Sequence, residues 1–229
     1  MAVTETATTT AGQVTATATC RRRGRWRARA AVALASGALA GALASCGATT
    51  GARSTAAAAP HATARDLGAF AWLRSVAAPH TWSSVTTSSG AATLSYPPGW
   101  RALGGDPGSV SAALRDSGGN YLGYLNVTPR QGTEQARGWA GFRTQHNAAE
   151  GDRNVREAAA GEGLPFIGAN ASCVIDDYLS RVGSHRYREI ACLVTGSRAS
   201  SVFVGAAAVS QWRRLAPLLE RAAAAFQER

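Results

Sequence analysis

Hydrophobic patterning divides the 229-residue chain into stretches of different period. Residues 30–44, AAVALASGALAGALA, are an unbroken uncharged apolar run. Residues 47–64, GATTGARSTAAAAPHATA, are small and polar without period, and bury too little apolar area to offset the entropy of ordering. From residue 66 the periods of a folded domain begin. In 66–77, Leu67, Phe70, Ala71 and Leu73 fall near one helical face, with Asp66 as cap. Residues 81–87 and 91–96 flank SSG and read as a hairpin. PPGW and GGDPG are breaks, and 109–117 with 120–129 read as a second hairpin about Gly118 and Gly119. Residues 133–151 predict a helix capped by Thr133, closed by Gly151, with Ala136, Trp139, Ala140 and Phe142 on its apolar face. Strands are expected at 155–160, 171–181, 186–195 and 201–208, with GEGLPF from Gly161 as a turn. At the end, Trp212, Leu215, Leu219, Ala222 and Phe226 recur every three or four residues, a helical stripe that must pack on something. Pro217 means that this helix either starts near Ala216 or is kinked there.

The strands at 171–181 and 186–195 have an arguable register. Placing Cys173 opposite Cys192 makes opposed residue numbers sum to 365 and centres the turn on Val182 and Gly183. Ile175 then meets Ile190, Asp177 meets Arg188 and Tyr178 meets Tyr187, all favourable cross-strand pairs. One pair conflicts: Asp176 falls opposite Glu189, and relief must come from neighbouring arginines or a bulge.

Charge changes the picture of the amino-terminal third. Six arginines between Arg21 and Arg29 precede the apolar run, which is followed by small residues, the three-part layout of a secretory signal. A membrane-spanning helix needs about 20 apolar residues, more than this run supplies. Leu43, Ala44, Ser45 and Cys46 resemble the lipobox of bacterial lipoproteins. That resemblance implies cleavage before Cys46, a diacylglycerol on its sulfur and membrane attachment through the lipid. Residues 1–45 are then a signal peptide, 46–65 a lipidated cysteine and flexible linker, and 66–229 one α+β domain. The lead-in before the basic block is long, and a start at Val14 would shorten it. RRRGRW weakly resembles a twin-arginine signal, so the export route stays open between that and the general secretory path. Both routes end on the outer face of the cytoplasmic membrane, in the cell envelope.

The net charge of +10 is mostly the signal's own. Beyond residue 45 there remain 18 arginines against 13 acids, a net of +5. No basic block or aromatic-interleaved basic stripe recurs there, so nucleic acid is excluded as a partner. Every basic residue is Arg and none is Lys, in a chain rich in Ala and Gly. This is a GC-rich coding bias of the actinobacterial kind. Of four cysteines, Cys20 and Cys46 belong to signal and anchor; Cys173 and Cys192, an even pair in an oxidising compartment, read as a disulfide.

LSYPPGW entering a hairpin, a middle helix with Trp139 and Phe142, a run of antiparallel strands and a closing amphipathic helix resemble the PsbP-like fold. That family includes an accessory subunit of the oxygen-evolving complex, a small Ran-binding import factor and actinobacterial lipoproteins of the LpqN/LpqT type. The resemblance covers residues 80–227, and its most specific element is Tyr96, Pro97, Gly99 and Trp100. Residues 66–79 and the cysteine pair have no counterpart in it. It implies a curved antiparallel sheet flanked by helices, an α/β/α sandwich, and a binding or accessory role rather than an enzymatic one.

Catalytic templates fail in turn. His61, His80, His146 and His185 are scattered, H-E-x-x-H is missing, and the domain thiols are committed to each other, so no metal or other cofactor is expected. No G-x-S-x-G elbow occurs, and GEGLPF lacks the spacing and lysine of a phosphate loop. Asp176 and Asp177 are adjacent on a strand and point to opposite faces, which rules out an acid/base pair. Tyr121, Tyr124, Tyr178 and Tyr187 are candidates to line a ligand-binding sheet face, against the commoner role of strand aromatics in a core. The expectation is a non-enzymatic, lipid-anchored envelope protein that binds a partner protein or a cell-wall component. The alternative is a carrier of a small apolar ligand held between sheet and helix.

Overall fold

A computed structural model describes residues 68–229 of the chain. The expected signal peptide and linker, with Cys20, Cys46, His61, Asp66 and Leu67, lie outside the described residues. The strands are β1 (Ser83–Thr86), β2 (Ala92–Tyr96), β3 (Arg101–Leu103), β4 (Val110–Arg115), β5 (Tyr121–Pro129), β6 (Arg153–Phe166), β7 (Ala169–Leu179), β8 (Arg186–Gly196), β9 (Ser200–Ala208) and β10 (Gln227–Glu228). The helices are α1 (Trp139–Ala149), between β5 and β6, and α2 (Trp212–Ala224), after β9. Seven strands form one sheet in the order β3-β4-β5-β9-β8-β7-β6, and β1-β2-β10 form a second. Every paired strand is antiparallel, which makes the fold α+β.

Strand alternation sends successive side chains to opposite faces of the large sheet. Cys173, Ile190, Cys192, Val194, Phe203 and Ala207 face one way, into the main core with Leu215, Leu219, Ala222 and Ala223 of α2. The small sheet closes that core with Ala92 and Leu94. Val174, Ala191, Leu193, Val202, Val204 and Ala206 face the other way, against Trp139 of α1. The sheet is therefore sandwiched between helices. Its curvature follows from bulges: the β4–β5 ladder shifts at Leu114/Arg115 and the β6–β7 ladder shifts three times.

The β7–β8 register is the one argued from residue pairs. Cys173 pairs with Cys192, Ile175 with Ile190, Asp176 with Glu189, Asp177 with Arg188 and Tyr178 with Tyr187. A disulfide joins Cys173 to Cys192. Arg188 Nε donates to Asp177 Oδ1 at 2.7 Å and its guanidinium lies over the Trp212 ring of α2, 5.6 Å from the centroid.

Several local expectations give way to tertiary context. Of the helix expected over 66–77, the described residues show helical backbone at 68–69 and turns to 72, and residues 73–79 have no regular structure. Phe70 and Leu73 are buried all the same, while Ala71 is exposed, and the Val76 N–H reaches the Ala224 carbonyl at the end of α2. The helix expected from Thr133 begins only at Trp139. Gly138 stands in the left-handed region at φ 75°, and Gln131 N–H closes a turn onto Glu134. GEGLPF is not a turn but the second half of β6. Gly161 pairs with Cys173 and Leu164 with Ala171, leaving Glu162 and Gly163 as a bulge opposite Ser172. Of the two readings left open at Pro217, the start near Ala216 is not realised: α2 begins at Trp212 and runs through the proline. Strands β3 and β10 were not foreseen.

Trp100, from the YPPGW stretch, is 6 % exposed and lies directly on Gly123 of β5. A Cβ there would stand 2.7 Å from the indole, so only glycine admits the ring.

Candidate functional site

The face that meets α1 is covered at one end and open at the other. Trp139 anchors the covered end: it is 1 % exposed, and its indole N–H donates to the Ala191 carbonyl at 2.9 Å. Next to it lies the conflict foreseen at Asp176 and Glu189. Both carboxyls are fully buried. Relief comes from the helix above, not from a bulge. Arg143 grips Glu189 through two hydrogen bonds, Nε to Oε1 at 2.8 Å and a terminal nitrogen to Oε2 at 3.2 Å. Asn147 bridges the pair, its amide donating to Asp176 Oδ2 at 3.3 Å and Glu189 Oε1 at 3.1 Å. Asp176 Oδ1 meets no partner. Burial above all, then the neighbouring Glu189 charge, pushes the Asp176 carboxyl up to about 8. A carboxyl that keeps its proton can share the site with an ionised Glu189, whose charge Arg143 matches. Arg143 itself is held charged by Glu189.

The open end is a cleft of about 830 Å³. Its floor is aromatic: Tyr121 and Tyr124 from β5, Tyr178 from β7 and Tyr187 from β8, with Ala206 from β9. The register explains the convergence. Tyr178 and Tyr187 are opposed across β7–β8 and stack at 6.0 Å, while Tyr187 pairs with β9 residue Ala208 and Tyr124 with Ala206. Tyr121 and Tyr124 meet edge to face at 5.8 Å. Three loops wall the cleft: the β4–β5 turn at Gly119 and Asn120, the α1–β6 junction at Glu150 and Asp152, and the β7–β8 turn from Ser180 to His185.

The hydroxyls are set by neighbours. Tyr187 donates to the Tyr121 carbonyl at 3.1 Å, and Tyr124 shares a 3.1 Å hydrogen bond with Ser111. Arg115 stacks its guanidinium 4.5 Å from the Tyr121 ring centre and hydrogen-bonds its hydroxyl. Burial raises the Tyr124 and Tyr187 phenols and holds Tyr178 well above its ordinary range, so all three stay protonated at neutral pH. Three large hydrophobic residues are exposed among the described ones, Tyr121, Val182 and Val209, and the first two line this cleft.

Of the residues singled out in the sequence, the structure brings the four tyrosines together. It scatters the histidines: His80 is exposed on a turn, His146 meets Glu150 at 3.2 Å on α1, and His185 lines the cleft. Asp176 and Asp177 do point to opposite faces, one buried under α1 and the other ion-paired with Arg188. Among the described residues no group of three His, Cys, Asp or Glu side chains is arranged for a metal, and no helix is long and apolar enough to cross a membrane. Arg143 and Asn147 were missed. The like-charge pair was the available signal, since two opposed buried acids require a donor from another element.

No protein-family model matches the chain, and no curated protein matches it in sequence. Several solved structures are similar in shape, among them these three. The cyanobacterial PsbP of Synechocystis sp. PCC 6803 is 19% identical, over 66% of this chain and 94% of that one, with a TM-score of 0.47. The Ran-binding protein Mog1p of Saccharomyces cerevisiae is 11% identical over 62% and 87%, at 0.42. LpqN of Mycobacterium tuberculosis, involved in cell envelope biogenesis, is 11% identical over 65% and 91%, at 0.37. Likeness of this extent assigns no function.

Proposed function

We propose that the chain is a lipid-anchored protein on the outer face of the cytoplasmic membrane that acts by binding, not catalysis. The tyrosine cleft holds a partner protein or a cell-wall component. One observation carries the binding role: four tyrosines from three strands converge on an open, solvent-facing cleft instead of closing into the core. Tyrosine suits such a surface, offering a large rigid ring at low entropic cost. The anchor is argued from Leu43, Ala44, Ser45 and Cys46 after an arginine block and a short apolar run. The Cys173–Cys192 disulfide agrees with an oxidising compartment. In this reading residues 1–45 are removed, 46–65 tether, and 66–229 fold as the binding domain.

A second reading, carriage of a small ligand between the sheet and the end of α1, is favoured by the cleft's volume. About 830 Å³ falls within the roughly 300–1,000 Å³ of small-molecule sites.

The anchor is tested by Cys46→Ala in cells. The wild type should sediment with membranes and yield an acylated amino-terminal peptide by mass spectrometry, and the variant should leave the membrane fraction or stay uncleaved. Unchanged detergent partitioning of the variant, with no acylated peptide from the wild type, would remove the anchor.

A further inference from the structure

The polar groups around the tyrosine floor are unequally engaged. Glu150 Oε1 lies 3.2 Å from His146 Nε2, and Asp152 Oδ1 accepts the Arg181 backbone N–H at 2.9 Å. The Tyr124 and Tyr187 hydroxyls are held by Ser111 and by the Tyr121 carbonyl. Three donors are left over. Among the described residues, the Arg181 guanidinium, the His185 ring and the Tyr178 hydroxyl meet no hydrogen-bonding or ion-pair partner, although all three line the cleft. They come from one wall, the end of the β7–β8 hairpin.

Two glycines put the Arg181 and His185 donors there. The Arg181 stem crosses Gly151, where an added Cβ would stand 2.8 Å from Cδ and the backbone has φ 98°. The His185 ring lies on Gly183 in the same way, 2.7 Å from where a Cβ would be. Val182, 76 % exposed, stands between them at the tip of the turn. The wall thus presents an apolar tip beside donors that no other protein group engages, one of them a permanent cation shaped for a two-oxygen acceptor. The domain, residues 66–229, carries 16 arginines against 13 acids, and this net of +3 draws anions toward it.

Building on the small-ligand reading of this cleft, we infer that it takes a small amphiphilic organic anion. The ring or acyl body lies on the tyrosines and Val182, and a carboxylate or phosphate is held by Arg181, His185 and the Tyr178 hydroxyl. Burial keeps the Tyr178 proton in place, so the phenol stays a donor.

The test is calorimetric titration of the full chain with 2-naphthoate, with the neutral 2-naphthalenemethanol and with inorganic phosphate. Naphthoate should bind at least about tenfold tighter than the alcohol, the scale of one charge-assisted hydrogen bond, and phosphate alone should not saturate. Arg181→Gln, an exposed substitution, should weaken naphthoate about tenfold and leave the alcohol unchanged; Tyr178→Phe should weaken it severalfold. Equal binding of naphthoate and alcohol, or no effect of Arg181→Gln, overturns the anion while leaving the cleft as a binding site. Phosphate binding as tight as naphthoate overturns the role of the floor. Binding of none of the three overturns the small-ligand reading itself. The anchor at Cys46 is untouched by any of these results.

Discussion

The two faces of the seven-stranded sheet come from the same strands and are built for different ends. Toward α2, β7 to β9 present Cys173, Ile190, Cys192, Val194, Phe203 and Ala207, all within 4 % of full burial. Phe203 and Phe226 pack at 5.6 Å, and the disulfide crosses the same surface. Toward α1, one residue along, the same strands present Asp176, Tyr178, Tyr187 and Glu189. The first face buries mostly apolar area, its exception being Glu228 of β10, buried against Gly196 at the end of β8, and this is where the stability resides. The second buries two carboxyls under one arginine and leaves an aromatic cleft open to solvent. A face that only had to be stable would carry neither, which is why the cleft is read as the place of function.

The contrast can be broken by substitution. Leu219 of α2 is fully buried, and Leu219→Ala should cost about 2–5 kcal/mol in chemical denaturation. Tyr187→Ala, on the half-buried cleft floor, should cost distinctly less. Equal losses would mean that both faces are core and that the tyrosines are there for packing.

A smaller effect sharpens the other side of the contrast. Asp176 holds its proton up to about pH 8, whereas an unfolded aspartate loses it near 4. Between those values the folded chain binds one more proton than the unfolded chain, so stability falls as pH rises through the window. The groups around it are Glu189 on β8, Arg143 and Asn147 on α1, Asp152 at the α1–β6 junction, Asp177 and Tyr178 on β7 and, on β6, Glu157. Asp176→Asn removes the titration and offers Glu189 an amide donor. The variant should melt higher than the wild type at pH 8 and show a flatter decline from pH 5 to pH 8. The same slope in both proteins would show that Asp176 is ionised in the fold.

What could be read from the sequence was what neighbouring residues decide together. Two cysteines, two isoleucines, an acid–base pair and a tyrosine pair all demanded the same β7–β8 register, and one misfit did not outweigh them. The α2 stripe was equally legible, because Leu215, Leu219 and Ala222 repeat at helical spacing and nothing else explains them. Strands β3 and β10, three and two residues long, carry no pattern and exist only because β4 and β2 offer free edges. The start of α1 was misplaced because Thr133 is a good local cap, while the left-handed Gly138 decides the matter. The cleft was legible only in part. The four tyrosines were marked as candidates, but the wall donors Arg181 and His185 lie in a turn whose position depends on distant contacts with Gly151 and Asp152. Arg143 lies 46 residues from the acid that it satisfies.

Binding at the tyrosine cleft is tested most directly by placing a photo-crosslinking benzoylphenylalanine at Tyr121, on the cleft, or at Arg213, exposed on α2, and irradiating cells that express each variant. The residue at 121 should give discrete adducts with protein, wall or small-molecule mass, and the one at 213 should give none. Adducts from 213 alone, or equal patterns from both, would contradict a binding function at the open end of the α1 face.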